Sequence, residues 1–235
     1  MNLNGKTILI TGSSEGIGKE IALLLAKKKT KLILLSRNSK ELKIVSEIAK
    51  KEGAIAVEII ECDLRDKNQI NKAVEKIENI DCLINNAGIW QKVNDLDKIS
   101  EEETLDVIST NLTGLILITQ KLLPKLKKSK EAAIINISSR SGYSAQKGQS
   151  IYSATKYGVR GFTEVLREDL KETSIRVAGV YQGGTNTNMF KKVKEGIPEE
   201  AYKKFIPPKE LAEVVAFMLT RPKYTWLPEV RIESK

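Results

Sequence analysis

The feature that most constrains this chain is a regular alternation of short, almost wholly apolar runs with longer segments of helical period. KTILIT (6–11), KLILLS (31–36), AIAVEII (54–60), IDCLIN (80–85), AAIINIS (132–138) and IRVAGVY (175–181) are strand-length and show no polar alternation. Such runs suit strands of a parallel sheet with helices on both faces, because both alternating sets of side chains are then buried. Helix starts fall between them. Ser100 with Glu103 forms a capping-box pattern, Asp66 with Gln69 is a weaker relative of it, and Pro207 and Pro208 precede the amphipathic ELAEVVAFML. Six such alternations, with no internal repeat, low-complexity tract or Gly/Ser linker, predict one doubly wound α/β unit over residues 1–235. Its parallel sheet has six strands, or seven if PEVRIES (228–234) adds an edge.

Composition narrows the chemistry. Histidine is absent, which removes His-based triads, His-rich zinc sites and the commonest general base. Acid/base work near neutral pH then falls to carboxylates or to a Tyr, Lys or Cys of shifted pKa. Cys62 and Cys82 show no C-x-x-C spacing and read as reduced thiols, with no metal site expected. The net charge of +9 is spread through KKKTK (27–31), LKKSK (126–130) and residues 191–204, with acidic residues interleaved along the chain. Without zinc-finger spacing or an Arg-rich stripe, specific nucleic-acid binding is not expected, although the positive field favours an anionic cofactor or substrate. No apolar run approaches the roughly 20 residues of a bilayer span, and residues 1–20 lack a signal-peptide pattern. A soluble, cytoplasmic protein with no membrane partner is expected.

In a doubly wound sheet, ligands lie beyond the carboxyl ends of the strands where the winding reverses. The first strand is followed there by Thr11-Gly12-Ser13-Ser14-Glu15-Gly16-Ile17-Gly18. Its glycines permit a tight turn and close approach of backbone N–H groups to a pyrophosphate, although the G-x-x-x-G-x-G spacing differs from the general dinucleotide fingerprint. The second strand ends in Ser36-Arg37, where a carboxylate would bind the 2′-hydroxyl of NAD. A guanidinium pairs instead with the 2′-phosphate of NADP, so NADP is expected over NAD, with the Glu15 carboxylate acting against it. Tyr152 and Lys156 are four apart on one helix face after the fifth strand, an arrangement shared by ordinary helix-surface pairs and by acid/base pairs. Ser139, at the end of that strand, places a hydroxyl to donate to a substrate oxygen.

TGSSEGIG (11–18), Asp63 in CDL (62–64), NNAG (85–88), Asn111, ISS (137–139), YSATK (152–156) and QGGTNT (182–187) occur in that order. With them the chain resembles a classical short-chain dehydrogenase/reductase over essentially its whole length. The resemblance implies a Rossmann sheet and hydride exchange between a nicotinamide cofactor and a carbonyl or secondary alcohol. Tyr152 would be the general acid or base, Ser139 would polarise the carbonyl, and Lys156 would lower the tyrosine pKa and hold the nicotinamide ribose. Asn111 would support a water-linked proton relay through Lys156. Gly12, Ser14, Glu15, Gly16, Ile17 and Gly18 would cradle the cofactor phosphates, with Ser36 and Arg37 at the 2′-position. Asp63 and Leu64 would meet the adenine, Asn85, Ala87 and Gly88 its ribose side, and Gly183, Thr185 and Thr187 the nicotinamide.

Gln182 stands where the family usually has proline. Residues 188–206 resemble a short substrate lid, in which Met189, Phe190, Ile197, Tyr202 and Phe205 either cover an apolar substrate or pack as a capping helix. Ketone, acyl-thioester, sugar and pterin substrates stay open, including 3-oxoacyl thioesters of an acyl carrier protein. A non-catalytic NADP-binding regulatory protein is the alternative of a different class. The family also implies a homodimer or homotetramer, built on helices near 100–127 and 151–172.

Overall fold

The protein is described by a computed structural model over residues 1–192 and 199–234. In chain order its strands are β1 (Thr7–Thr11), β2 (Lys31–Ser36), β3 (Ala56–Glu61), β4 (Cys82–Asn85), β5 (Ala132–Ser139), β6 (Ile175–Gln182) and β7 (Glu229–Ile232). The helices are α1 (Gly16–Ala26), α2 (Ser39–Lys51), α3 (Lys67–Lys76), α4 (Glu101–Ile108), α5 (Gly114–Leu126), α6 (Ser150–Asp169), α7 (Met189–Lys192), α8 (Glu199–Tyr202) and α9 (Pro208–Thr220). The strands form one sheet of order β3-β2-β1-β4-β5-β6-β7, and every pairing is parallel. All six apolar runs are strands, and the run at 228–234 supplies the seventh, pairing with β6 at the edge.

The unbroken apolarity of the strands follows from the two layers. Ile8 and Ile10 pack with Ile21 and Leu25 of α1, Leu42 and Val45 of α2, and Leu211 and Val215 of α9. Leu9, between them, packs on the other face with Ile70 of α3, Ile118 and Leu122 of α5, and Leu166 of α6. Each such side chain withdrawn from water contributes about 1.5–3 kcal/mol, so neither face of the strand tolerates a polar residue. Among the described residues no helix is long and apolar enough to cross a membrane.

Two local expectations are modified. The helix foreseen near 100–127 is split by a π-helical turn at Ser109–Thr113. A turn with extra residues shifts the buried face: α4 leaves Leu105 exposed, whereas α5 buries Leu115, Ile118 and Leu122. The capping box at α4 is half made. Ser100 accepts from the Glu103 N–H at 3.1 Å, but the Glu103 carboxylate accepts from the Lys92 N–H at 3.1 Å instead of reaching back. Asp66 caps α3 as foreseen, accepting from the N–H groups of Asn68 and Gln69, and Pro208 opens α9.

β1 pairs with β2 on one side and β4 on the other, so the winding reverses between β1 and β4 and leaves a crevice at their carboxyl ends. At the opposite ends Asp81 ties the central strands together. Its carboxylate accepts from Lys6 Nζ at 3.0 Å, from the Thr7 N–H at 2.9 Å and from Ser129 Oγ at 2.6 Å. Burial would raise this carboxyl, but those donors outweigh it and hold its pKa below the usual carboxylate range. A depressed native pKa stabilises the fold above the unfolded value, near 4, and that stability is lost as pH falls through the native value. Asp81→Asn is expected to cost about 1–3 kcal/mol in urea unfolding at pH 7, with the difference from wild type shrinking below about pH 4.

Candidate active site

The crevice opens into a cleft of about 1460 Å³ across the carboxyl ends of the strands. Its floor is the first turn, where Gly12 (φ +64°) and Gly16 (φ +54°) adopt the left-handed conformation that favours glycine. Space is as restrictive as angle. A Cβ on Gly12 would lie 2.7 Å from Ala87 Cα, and one on Gly18 would lie 2.3 Å from the Gly12 carbonyl oxygen. Asn86 fastens this turn to the end of β4: its Nδ2 donates to the carbonyls of Thr11 and Gly12, each at 3.1 Å. Thr11 Oγ1 accepts in return from the Asn86 and Ala87 N–H groups, each at 3.0 Å. Sequence reasoning selected Asn85 from the NNAG motif and passed over Asn86. Asn85 is buried behind the cleft, where its amide donates to Thr119 Oγ1 at 2.9 Å and Asn136 Oδ1 at 2.8 Å.

At one end of the cleft, Ser14 Oγ and Ser36 Oγ share a hydrogen bond of 2.9 Å, joining the first turn to β2. Arg37, half exposed, reaches to 3.7 Å from the Asp63 carboxylate. Arg65, which the sequence did not single out, holds Asp63 at 2.7 Å and Asp106 at 2.7 Å. Burial pushes the Asp63 carboxyl up, but the Arg65 hydrogen bonds and the charges of Arg65 and Arg37 outweigh it, leaving it below the ordinary range. Glu15 precedes α1 and accepts from Asn188 Nδ2 at 3.4 Å. Leu64 and Ala87 line the same region, as does Thr110, whose hydroxyl oxygen is buried without a hydrogen-bond partner. An orphaned hydroxyl bordering a cleft is a candidate for contact with whatever fills the cleft. Thr110→Val keeps the shape and removes the orphan, so it is expected to melt no lower than wild type while binding NADPH about 2- to 10-fold more weakly by fluorescence titration.

At the other end, Tyr152 and Lys156 sit in the first turns of α6 beside Ser139 at the tip of β5. The Ser139 hydroxyl hydrogen-bonds the Tyr152 phenol and accepts from the Ser141 N–H at 3.2 Å. Lys156 Nζ lies 5.5 Å from the centroid of the tyrosine ring. Burial pushes Tyr152 up to about 12, with the Ser139 hydrogen bond pulling the other way, and pushes Lys156 down to about 8. Burial, opposed only by the Ser139 hydrogen bond, thus sets the phenol, because taking charge out of water disfavours phenolate and ammonium alike.

Backbone clamps fix the surroundings of this pair. Asn111 is fully buried in the π turn, accepting from the Ile89 N–H at 2.8 Å and donating to the Ile89 carbonyl at 2.9 Å. Gln91, also fully buried, accepts from the Tyr152 N–H at 2.7 Å and donates to the Gly148 carbonyl at 3.2 Å. It satisfies a donor that the first turn of α6 otherwise leaves open. A lone glutamine in a loop carries no sequence signal for such a task. Gly88 passes between the two groups: a Cβ there would lie 3.3 Å from Asn111 Oδ1 and 3.6 Å from Lys156 Nζ. Gln182, in place of proline, accepts from Thr185 Oγ1, and the Gly183 N–H pairs with the Ile232 carbonyl at 2.7 Å.

The residues expected from sequence therefore fall into two sets. Gly12, Ser14, Glu15, Gly16, Ile17, Ser36, Arg37, Asp63, Leu64, Ala87, Gly88, Ser139, Tyr152, Lys156, Gly183, Thr185 and Thr187 line one continuous cleft. Gly18, Asn85 and Asn111 stand behind its wall and hold it in shape. Of the segment 188–206, Met189, Phe190 and Phe205 line the cleft, Tyr202 packs on Phe205 at 5.3 Å between ring centroids, and Ile197 lies outside the described residues.

Known proteins resemble this chain in sequence and fold. The sequence profile of the family described as short chain dehydrogenase matches residues 6–198. A 3-oxoacyl-(acyl-carrier-protein) reductase of Aquifex aeolicus is 38% identical over 233 residues, covering 93% of this chain and 91% of the relative. An NADP-dependent 3-hydroxy acid dehydrogenase of Schizosaccharomyces pombe is 33% identical over 229 residues, covering 93% and 88%. Among solved structures, the closed form of serine dehydrogenase complexed with NADP+ superposes with a TM-score of 0.87 at 28% identity, over 96% of this chain and 93% of that one. The chain belongs to the short-chain dehydrogenase family.

Proposed function

We propose that this protein is an NADP(H)-dependent oxidoreductase that interconverts a carbonyl and a secondary alcohol, with Tyr152 transferring the proton. The observation that carries the reading is the meeting of Ser139, Tyr152 and Lys156 in the same cleft as the glycine turn and Arg37. The dinucleotide fits the residues present. Gly12 and Gly18 leave no room for a Cβ, α1 begins at Gly16 and presents its N-terminal N–H groups, and Thr110 offers an unpartnered hydroxyl. When bound, the nicotinamide supplies or accepts the hydride. Arg37 holds the 2′-phosphate, and the Asn188 contact to Glu15 gives that carboxylate a partner other than the phosphate.

The protein's own part is position and proton. With its pKa raised to about 12, Tyr152 keeps its proton through the neutral range and donates it to a carbonyl oxygen that Ser139 orients. Lys156, with its pKa near 8, brings positive charge to that end at neutral pH and below. Residues 1–235 act as one catalytic unit in this reading, with 188–206 as its lid and the buried thiols of Cys62 and Cys82 suited to the cytoplasm. The 3-oxoacyl-thioester activity named for relatives at 38% and 34% identity is one member of this reaction class. The relatives together do not single it out, since an NADP-dependent 3-hydroxy acid dehydrogenase stands among them.

Tyr152→Phe is expected to lower kcat for ketone reduction at least about 100-fold while NADPH affinity stays within about 2-fold. Retention of more than about a tenth of wild-type turnover would remove the assignment. Arg37→Ala is expected to weaken NADPH by roughly 10- to 150-fold and leave NADH unchanged, the weight of a charged hydrogen bond. A homodimer or homotetramer completes the reading, supported by Leu105 and Ile108 on α4 and Tyr157 and Val165 on α6, all exposed. Light scattering at micromolar concentration is expected to give at least twice the 26.2 kDa chain mass.

A further inference from the structure

We infer that Trp90 and Phe190 form an aromatic clamp beside Tyr152, and that the substrate flanks its carbonyl with an uncharged ring or a bulky apolar group. The inference rests on the oxidoreductase reading and names the substrate class of the same site. The Trp90 ring lies 4.5 Å from the Tyr152 ring, and Phe190 meets Trp90 edge-on at 4.8 Å. Phe205 backs Phe190 at 5.6 Å and seats against Gly184, where a Cβ would lie 2.9 Å from Phe205 Cε1. An apolar enclosure therefore begins within one ring's width of the phenol that donates the proton.

The two jaws differ in how they are held. Trp90 lies between two clamped neighbours. Asn111 engages both backbone polar atoms of Ile89, and the buried Gln91 side chain is bonded to Tyr152 N and the Gly148 carbonyl. The Trp90 backbone cannot shift without breaking those bonds, so its ring has a fixed origin relative to Tyr152. Phe190 belongs to the short helix α7, in a segment pinned at its ends by the Thr185–Ile206 bridge and the bonds of Ile206 N–H to Gly184 and Asn186 N–H to Ile206, each at 2.9 Å. A flat apolar group that displaces Phe190 from Trp90 takes over its contact with the indole in an offset or edge-on arrangement, the geometries aromatic pairs favour.

Apart from Lys156, several polar side chains lining the same cleft are engaged with other side chains. Ser141 Oγ donates to Gln149 Oε1 at 3.0 Å, and the Arg140 guanidinium is shared between Gln146 at 3.3 Å and Glu233 at 3.5 Å. A carboxylate flanking the carbonyl would have to break the Arg140 pairing and lose water beside two aromatic faces. An aryl or alicyclic ketone meets neither cost.

The test uses equilibrium binding with NADP+ present, so that no hydride moves and turnover is not required. Acetophenone and pyruvate are titrated by calorimetry into wild type, Trp90→Leu and Trp90→Phe, alongside NADP+ itself. Acetophenone is expected to bind wild type at least about tenfold more tightly than pyruvate, to lose at least about tenfold in Trp90→Leu, and to recover most of that in Trp90→Phe, with NADP+ affinity unchanged throughout. Pyruvate binding as tightly as acetophenone, or acetophenone binding Trp90→Leu as well as wild type, would overturn the inference. A ketone that binds as expected yet is never reduced with NADPH would overturn the oxidoreductase reading and leave the clamp standing.

Discussion

The rest of the structure depends on how closely the first turn is packed against the end of β4. A Cβ at Gly18 would stand 2.3 Å from the Gly12 carbonyl and 2.5 Å from Asn86 Nδ2, so α1 can approach β1 and β4 only without side chains there. That approach sets where α1 begins and keeps the crevice between β1 and β4 open at its carboxyl end. Asn86 and Thr11 convert the approach into hydrogen bonds, so the turn is fixed by partners as well as by shape. Everything that meets in the cleft is referred to this junction, including the Thr187 methyl group, which would lie 3.2 Å from a Cβ on Gly16.

A second set of buried polar side chains sets the Tyr152 end of the cleft. A row of amides and hydroxyls runs from Thr119 through Asn85 and Asn136 to Thr163, crossing β4 and β5 where the two asparagines are in register. It joins α5 to α6 through the sheet, and α6 carries Tyr152 and Lys156. Asn111 and Gln91 then fix the loop that faces them. The amide N–H groups of these side chains are spent on backbone carbonyls, on threonine hydroxyls or on one another, although the Asn85 Oδ1 is left without a partner, and this pairing favours one arrangement of α6 over slipped ones. The result is a phenol and an ammonium both withdrawn from water, their pKa values moved apart, the phenol up from the usual 10 to about 12 and the ammonium down from 10.5 to about 8. Burial favours the neutral form of each, so the proton stays on the phenol and is held less tightly by the amine.

Much of this was legible in the sequence, for physical reasons. Strands covered on both faces are apolar almost throughout, so six could be located while the half-exposed edge β7, carrying Glu229 and Arg231, showed only as an optional seventh, and Asp66 and Pro208 mark helix starts because their effect is local. The cleft residues were legible where a backbone requirement leaves a residue type behind, as at Gly12, Gly16 and Gly88. What could not be read depends on distant parts of the chain. The π turn leaves no periodic signature in STNLT. The division of labour between Asn85 and Asn86 depends on which side of β4 each amide faces, and the tasks of Gln91 and Arg65 exist only once α6 and α4 are in place. The raised pKa of Tyr152 is likewise a property of packing, since the sequence shows the nearby lysine but not the burial that raises the phenol.

The central claim is that the cleft transfers hydride to carbon while Tyr152 supplies a proton. The most direct measurement is isotopic: incubate the protein with a ketone and NADPH carrying deuterium at the transferable position of the nicotinamide, in ordinary water, and analyse the alcohol by mass spectrometry. The account predicts one deuterium on the carbinol carbon and an exchangeable hydroxyl proton from solvent. An alcohol without deuterium, or cofactor that binds tightly and is never consumed across a broad set of carbonyls, would contradict it.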